Sequence, residues 1–107
     1  NRQRNIWIQR EFQLEFSMLK TLENLISTIR QKKSSPDEKS YTSKLLRDKN
    51  LSVEKVKEEI AELIEAVENN SNTVHEAADV FYHLLVYLEG NGVRIEDIML
   101  ELDKRRK

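Results

Sequence analysis

Apolar residues recur at intervals of three and four along most of this chain, a spacing that places them on one face of an α-helix. The pattern predicts helices over approximately residues 18–33, 40–46, 52–68, 73–89 and 94–107, separated by short polar stretches. Ser52 stands at the beginning of the third pattern and is the predicted N-cap of that helix. The chain is therefore predicted to fold as an all-α bundle of four to five helices.

The first seventeen residues carry a more ragged apolar pattern that is still compatible with a helix. Three origins stay open for this segment: an added helical turn, a linker from an upstream domain, or translated vector sequence. Met18 would be a natural start for the regular pattern that follows. We expect residues 1–17 to be an extension, linker or tag and residues 18–107 to form the domain.

The third predicted helix has an apolar stripe with an acidic flank. On a wheel of about 100° per residue, six residues form the stripe that we expect to face the core: Val53, Val56, Ile60, Leu63, Ile64 and Val67. Glu59 and Glu62 lie together on one flank of this stripe, in line with Lys55 and Ala66. Glu58 lies further round the helix, so it is a weaker candidate for binding the same ligand.

The fourth predicted helix is apolar nearly all round, which predicts that it is buried. Its polar interruption is a single strip formed by Glu76, Asp79 and His83. Aspartate is a poor helix former, and a buried carboxylate without a partner is strongly destabilising. Asp79 therefore requires a positive partner, and the options are Lys44, Lys55, a terminal arginine or a metal ion.

Composition and charge limit the kinds of protein that this chain can be. With 107 residues, the chain is long enough for one domain, and two glycines, one proline and 35% charged residues suit a helical protein. The net charge of -1 gives no general attraction to nucleic acid or to an anionic membrane. There is no cysteine for a disulfide and no apolar run long enough to span a membrane. We expect a soluble, cytoplasmic protein.

Two acidic pairs carry the candidate chemistry. Glu59-x-x-Glu62 and Glu76-x-x-Asp79 each place two carboxylates on one side of a helix. If the two helices pack together, four carboxylates form a cage for a hard divalent cation, and Mg²⁺ would offset their repulsion. Solvated helices also carry paired glutamates, and Thr73 with Glu76 fits a capping box. Neither alternative explains why an aspartate, Asp79, stands in this apolar helix. Its presence favours the metal site.

Candidate anion-binding groups lie at the start of the second predicted helix. Ser40, Thr42 and Lys44 cluster there, where free backbone N–H groups can bind an anion. A structural role for Ser40 as the N-cap is the favoured alternative. His83 by itself is more often a satisfied core histidine than a ligand, and it receives a supporting role at most.

Together these residues resemble a known family. The two acidic pairs, the run Ser40-Tyr41-Thr42 followed by Lys44-Leu45, and the run Tyr82-His83-Leu84-Leu85 are similar to the marks of phosphoribosyl-ATP pyrophosphohydrolases. That family belongs to an all-α superfamily of nucleoside triphosphate pyrophosphohydrolases, which includes MazG-like proteins and dimeric dUTPases. The chain departs from it at Lys57, where many bacterial members have glycine, and residues 1–17 lie outside the resemblance.

The resemblance implies a homodimer whose helices complete a larger bundle, with Mg²⁺-dependent hydrolysis of phosphoribosyl-ATP to phosphoribosyl-AMP and pyrophosphate in histidine biosynthesis. It implies metal ligation by Glu59, Glu62, Glu76 and Asp79. The predicted catalytic carboxylates are Glu58 and Glu59, with Glu58 as the base that orients or deprotonates the attacking water. The predicted substrate-binding residues are Ser40, Thr42, Lys44, Lys55, His83, Arg105 and Arg106, the two arginines from a partner subunit.

Two other functions are alternatives at this point. One is another activity of the superfamily, the hydrolysis of canonical or damaged nucleoside triphosphates, although the run Ser40-Tyr41-Thr42 argues against it. The other is a non-enzymatic helical interaction module, in which the acidic strip would be only a seam of salt bridges.

Overall fold

The computed structural model describes residues 19–106, so the predicted extension at residues 1–17 lies outside the described residues. The helices are α1 (residues 19–34), α2 (Tyr41–Arg47), α3 (Lys49–Asn69), α4 (Thr73–Gly90) and α5 (Ile95–Arg105). Residues 19–106 contain no strand, and the predicted all-α fold is confirmed. None of the described helices combines the length and the apolar character needed to cross a membrane.

The third helix begins earlier than the sequence pattern indicates. Asp48 is its N-cap, and its Oδ1 accepts a hydrogen bond from the backbone N–H of Leu51 at 3.0 Å. Ser52, the predicted cap, lies inside the helix and is only 4% exposed. The cap prediction was wrong because Lys49 and Asn50 are helical, so that α2 and α3 are separated by Asp48 alone.

A tight turn returns the chain from α3 to α4. Asn70 and Asn72 both have left-handed backbones, with φ of 52° and 55°, a conformation that asparagine tolerates better than most residues. The N–H groups of Asn70 and Ser71 donate to carbonyls of the last turn of α3, and the Thr73 hydroxyl donates to the carbonyl of Ala66. The turn therefore holds the start of α4 against the end of α3, and among helices α2–α5 these two share the most extensive contact.

The hydrophobic core is small and joins three helices. Ile29 of α1, Leu45 of α2, and Leu85 and Val86 of α4 form its buried centre. Partly buried apolar side chains surround this centre: Leu22, Leu25, Leu46, Leu51, Tyr82 and Ile95. The core therefore lies at the end of α4 that is distant from the acidic residues at the helix start.

The side of α3 that meets its neighbours differs from the prediction. Its buried residues are Ser52, Glu59 and Ala66, which follow one another at intervals of seven. No residue of the predicted core stripe is buried: half of them are only half-buried and the other half are exposed, with Ile64 at 54% and Val67 at 59%. The helical period identified which residues share a face, but it did not identify which face meets the rest of the chain.

The fourth helix is also less buried than expected, since Val74 is 84% and Phe81 66% exposed. Helical spacing places these residues on the same side of the α3–α4 pair as the exposed stripe of α3. We call this surface the apolar face; its exposed members are Ile60, Ile64, Val67, Val74, Phe81 and Leu84. In the fifth helix, no described residue is buried, and the apolar side chains of Met99, Leu100 and Leu102 are exposed.

Candidate active site

Carboxylates from α3 and α4 meet where the two helices pack together. Oxygen atoms of Glu59, Glu62 and Glu76 all lie within 4.8 Å of one another. A second group, also within 4.8 Å, consists of His75, Glu76 and Asp79. Because Glu76 belongs to both groups, the four carboxylates singled out in the sequence lie in one continuous acidic site.

The negative charge of the innermost carboxylates of this site is poorly compensated by neighbouring groups. Glu59 is only 8% exposed, and Oε2 of Glu59 and Oε2 of Glu76 are buried without a hydrogen-bond partner among the described residues. Burial raises the pKa of both groups, and the nearby charges of Glu62 and Asp79 raise them further. Buried acceptors of this kind are destabilising unless a donor or a cation engages them. An all-oxygen set of carboxylates is the donor chemistry that Mg²⁺ prefers, so these residues fit that ion.

The side chain of Glu76 belongs to this acidic site, and the alternative of a capping box was wrong. Asn72, with its left-handed backbone, is the N-cap of α4, and it makes no side-chain capping bond. Thr73 is already the first helical residue, which removes it from the position that a capping box requires. Burial raises the pKa of Glu76, and the charge of Glu62 and hydrogen bonding with Glu62 raise it further.

The partner of Asp79 is a histidine that the sequence analysis missed. His75 Nε2 lies 3.4 Å from Asp79 Oδ2, one helical turn away on the same helix. Lys55, one of the expected partners, instead pairs with Glu58 Oε2 at 3.3 Å. The i,i+4 spacing of His75 and Asp79 was the available signal. Because the His75 side chain is 73% exposed, it compensates the outer edge of the acidic site only.

His83 is a buried histidine whose ring nitrogens are both engaged. Its Nδ1 lies 2.8 Å from the carbonyl oxygen of Asp79, and its Nε2 lies 3.0 Å from the hydroxyl of Tyr41. Since a carbonyl can only accept, Nδ1 carries the proton and Nε2 accepts from the Tyr41 hydroxyl. His83 therefore fixes Tyr41 beside the carboxylates, in agreement with the satisfied-histidine interpretation.

Tyr41 is the residue of this site that sequence reasoning left out. Its ring is 45% exposed and lies nearly parallel to that of Tyr82, with centroids 6.3 Å apart and planes at 20°. Burial of its hydroxyl raises the pKa of Tyr41, which also responds to the charges of Lys55, Glu59 and Glu58. An aromatic ring thus stands at the edge of the acidic site, held by its hydroxyl. In the run Ser40-Tyr41-Thr42, the sequence analysis selected only the two flanking hydroxyl residues as candidate binding residues.

The two hydroxyl residues make contacts within the chain. Ser40 is the N-cap of α2, as the structural alternative predicted, and its Oγ accepts from the N–H of Ser43 at 3.2 Å. Thr42 Oγ1 is hydrogen-bonded to the hydroxyl of Tyr82. Thr42 therefore helps to attach α2 to α4, whereas Ser40 caps its own helix. The Ser40 hydroxyl proton is not used in the capping bond.

The predicted cationic residues are only partly assembled at the acidic site. Lys55 lies near it, one turn before Glu59 on α3. Lys44 is exposed and lines a cleft at the junction of α2 and α3. Arg105 pairs with Glu101 on its own helix at 3.3 Å, and Arg106 follows the end of that helix. The two arginines are therefore not placed at the carboxylates by the contacts of this chain.

Comparison with known proteins decides the family. The model of the family described as "Phosphoribosyl-ATP pyrophosphohydrolase" matches residues 22–106. The chain belongs to this family. The match includes all four helices α2–α5 and most of α1, and it excludes the segment that was predicted to lie outside the domain.

Similar proteins carry names that agree with the phosphoribosyl-ATP pyrophosphohydrolase family. A phosphoribosyl-ATP pyrophosphatase of Methanoregula boonei is 43% identical over 94 residues, covering 83% of this chain and 90% of the relative. One from Halobacterium salinarum is 38% identical over 91 residues, covering 79% of this chain and 96% of the relative. A chloroplastic histidine biosynthesis bifunctional protein of Arabidopsis thaliana is 39% identical over 97 residues, covering 86% of this chain but only 34% of that longer relative.

Proposed function

We propose that this protein hydrolyses phosphoribosyl-ATP to phosphoribosyl-AMP and pyrophosphate, a step of histidine biosynthesis. Family membership and the names of its relatives support this activity. The observation that carries it is the pair of buried carboxylate oxygens, on Glu59 and Glu76, that have no partner among the described residues. A site with excess buried negative charge is suited to a substrate that arrives with a cation bound to its phosphates.

Mg²⁺ would be held by Glu59, Glu62, Glu76 and Asp79. When bound, it would supply charge neutralisation for the phosphates and increase the acidity of water at the site. The fit rests on the oxygen donors and on the unpartnered buried atoms. His75 adds a nitrogen donor at the outer edge, where it pairs with Asp79.

In the reaction, a water oxygen forms a bond to the α-phosphorus while the bond from that phosphorus to the α–β bridging oxygen breaks, and pyrophosphate leaves. Glu58 is the proposed base for this water. It is 51% exposed, it is outside both carboxylate groups, and Lys55 lies 3.3 Å away. Glu59, the other predicted catalytic carboxylate, acts in this scheme through the metal.

The remaining predicted substrate contacts divide into direct and indirect roles. Lys55 and the Ser40 hydroxyl are the proposed donors to phosphate oxygens near the acidic site. Thr42 and His83 are engaged within the chain, so they position Tyr41 and α2 and do not bind the substrate directly. Arg105 and Arg106 are proposed to act from a partner subunit.

We also propose a homodimer, formed through the apolar face on α3 and α4. Contiguous exposed apolar side chains on a small chain usually mark an interface. This surface includes Ile64 at 54% and Phe81 at 66% exposure, on the side of the helix pair opposite to the acidic site. A second copy would cover it and would complete the core that one chain leaves open. A cytoplasmic location stays a prediction.

A panel of nucleotides tests the proposed activity. Pyrophosphate release from phosphoribosyl-ATP is compared with release from dUTP, dCTP, ATP and other nucleoside triphosphates in the presence of Mg²⁺. We expect the highest kcat/KM for phosphoribosyl-ATP. A preference for dUTP or dCTP would assign the protein to the wider superfamily activity, whereas no release from any nucleotide would support a non-enzymatic interaction module.

A further inference from the structure

We propose that the cleft at the α2–α3 junction binds the second phosphate of the substrate, the 5′-phosphate of the added ribose. This inference rests on the proposed function and extends it to a second anion site. The substrate carries negative charge at both of its ends: a triphosphate on one ribose, and a single phosphate on the ribose attached to the purine. The acidic site accounts for one end only, and the other end needs cationic recognition of its own.

The cleft has the composition that a phosphate requires. It has a volume of about 620 Å³ and is lined by Lys44, Arg47, Asp48, Lys49 and Asn50. Three cationic side chains therefore surround one carboxylate. That carboxylate is engaged, because Asp48 Oδ1 accepts from the N–H of Leu51 at the start of α3. Within the part of the chain that the structure describes, none of the three cations forms an ion pair.

One exposed side of α2 connects this cleft with the acidic site. Tyr41, Lys44 and Arg47 follow one another at intervals of three and are exposed, whereas Ser43 and Leu45 between them are buried. The strip begins at the ring of Tyr41, which His83 fixes beside the carboxylates. It continues to Lys44 and Arg47, two of the three cations of the cleft. An aromatic ring followed by cations matches the order of groups in the substrate, in which a purine lies between its two phosphate-bearing ends.

The separation of the two sites agrees with the length of the substrate. Lys49 precedes Glu59 by ten residues on α3, a rise of about 15 Å along the helix axis. A ribose, a purine ring and a second ribose can bridge such a span. With the α-phosphate at the acidic site and the purine near Tyr41, the distal phosphate reaches the end of α2 where Arg47 and Lys49 lie. Arg47 can bind it through two parallel N–H donors.

This cleft would discriminate among nucleotides. ATP, dUTP and AMP lack the distal phosphate and gain nothing from Lys44, Arg47 and Lys49. Phosphoribosyl-ATP and its product phosphoribosyl-AMP both carry that phosphate. The cleft therefore contributes to binding without touching the bond that breaks, and its removal should raise KM while changing kcat little.

The test uses the double variant Arg47→Gln/Lys49→Gln, with Arg94→Gln as the control. Arg94 is an exposed arginine at the start of α5, outside the proposed sites. We expect the double variant to raise KM for phosphoribosyl-ATP by about tenfold or more, as expected for the loss of charge-assisted hydrogen bonds. Arg94→Gln should leave KM and kcat unchanged.

A binding measurement separates this inference from the proposed activity. Calorimetric titration at low salt compares phosphoribosyl-AMP with AMP on the wild-type protein and on the double variant. We expect the wild type to prefer phosphoribosyl-AMP by about tenfold and the variant to lose that preference. An unchanged KM together with an unchanged preference would overturn the cleft assignment. If the wild type prefers phosphoribosyl-AMP but releases no pyrophosphate from phosphoribosyl-ATP, the cleft stands and the proposed activity fails.

Discussion

Arg30 of α1 donates two parallel hydrogen bonds to Glu89 of α4, from Nε to Oε1 at 2.9 Å and from Nη2 to Oε2 at 3.0 Å. The same guanidinium bonds Glu96 of α5 at 2.9 and 2.6 Å. Lys33 adds a hydrogen bond to the backbone carbonyl of Glu89 at 2.7 Å. The Glu89 side chain is only 6% exposed, so its carboxylate is buried. The Arg30 cation therefore links α1, α4 and α5 through bonds that include a buried carboxylate.

Replacing this cation should destabilise the protein. Arg30→Met keeps most of the apolar stem but leaves the buried carboxylate of Glu89 with no charged donor. We expect the free energy of unfolding to fall by about 1–3 kcal/mol, measured by urea denaturation. Arg105→Met is the matched control, because it removes only the exposed pair with Glu101. Its cost should stay below about 0.5 kcal/mol, and an equal loss in the two variants would contradict the role given to Arg30.

The same network predicts how stability depends on acid. Hydrogen bonding to Arg30 lowers the pKa of Glu89, and it lowers the pKa of Glu96 to about 2. In the unfolded chain a glutamate titrates near pH 4.3, at about its ordinary pKa, so the unfolded state binds more protons below that pH. The stabilisation is therefore complete above about pH 4.3 and disappears as the pH falls towards 2.

Urea denaturation between pH 2 and 6 measures this contribution, with Arg30→Met compared at each pH. The difference in unfolding free energy between wild type and Arg30→Met should shrink as the pH falls through this range. Arg105→Met should show a small difference from wild type throughout. A difference for Arg30→Met that stays constant down to pH 2 would show that it does not arise from the two glutamates.

Removing charge from the acidic site should separate metal binding from folding. Glu59→Gln should abolish the rise in melting temperature that Mg²⁺ produces in the wild type, and it should lower pyrophosphate release by about a hundredfold or more. Without metal, the variant should be at least as stable as the wild type, because a poorly compensated buried charge has been removed. Differential scanning fluorimetry with and without EDTA reports both effects.

Glu65→Gln is the matched control for this experiment. Glu65 is an exposed glutamate of α3 outside the two carboxylate groups. Its variant should keep the Mg²⁺ shift and the activity of the wild type. If Glu59→Gln also keeps the Mg²⁺ shift, the ion does not bind where we propose.

Charge placed on the apolar face should dissociate the proposed dimer. Phe81→Glu introduces a carboxylate where the second copy would pack, and we expect a monomer in sedimentation at micromolar concentration. Leu100→Glu alters an equally exposed side chain, at 64% against 66%, on α5 and outside this face. The control should sediment as the wild type does. A wild type that is itself monomeric would remove the proposed interface.

Much of the fold and the centre of the site could be predicted from sequence because their determinants are local. Helical spacing alone predicted that Glu59 lies beside Glu62 and that Glu76 lies beside Asp79. The short polar stretch between the two helices allows them to pack against each other. The carboxylate groups within 4.8 Å are the physical result. Whether they bind metal is a separate prediction that the geometry does not test.

Other features depend on information that local patterns do not carry. Arg30 and Glu89 are separated by 59 positions, so no periodicity indicates their pairing. The buried side of α3 presents Ser52, Glu59 and Ala66, none of which is a large apolar residue. Hydrophobic spacing predicted a different orientation of α3. The spacing identifies the apolar side of a helix, but it does not identify which other helix or chain packs against that side.

The short turn of three residues, 70–72, between α3 and α4 also has a consequence for folding. All four proposed metal ligands lie on these consecutive helices, and Glu62 and Glu76, the pair nearest in sequence across the turn, are separated by only fourteen positions. Contacts between nearby segments form rapidly, because little chain entropy is lost in closing a short loop. The acidic site should therefore assemble as soon as the α3–α4 hairpin forms, before α1 and α5 dock. During that interval the free carboxylates repel one another, so Mg²⁺ present at this stage would accelerate the pairing of the two helices.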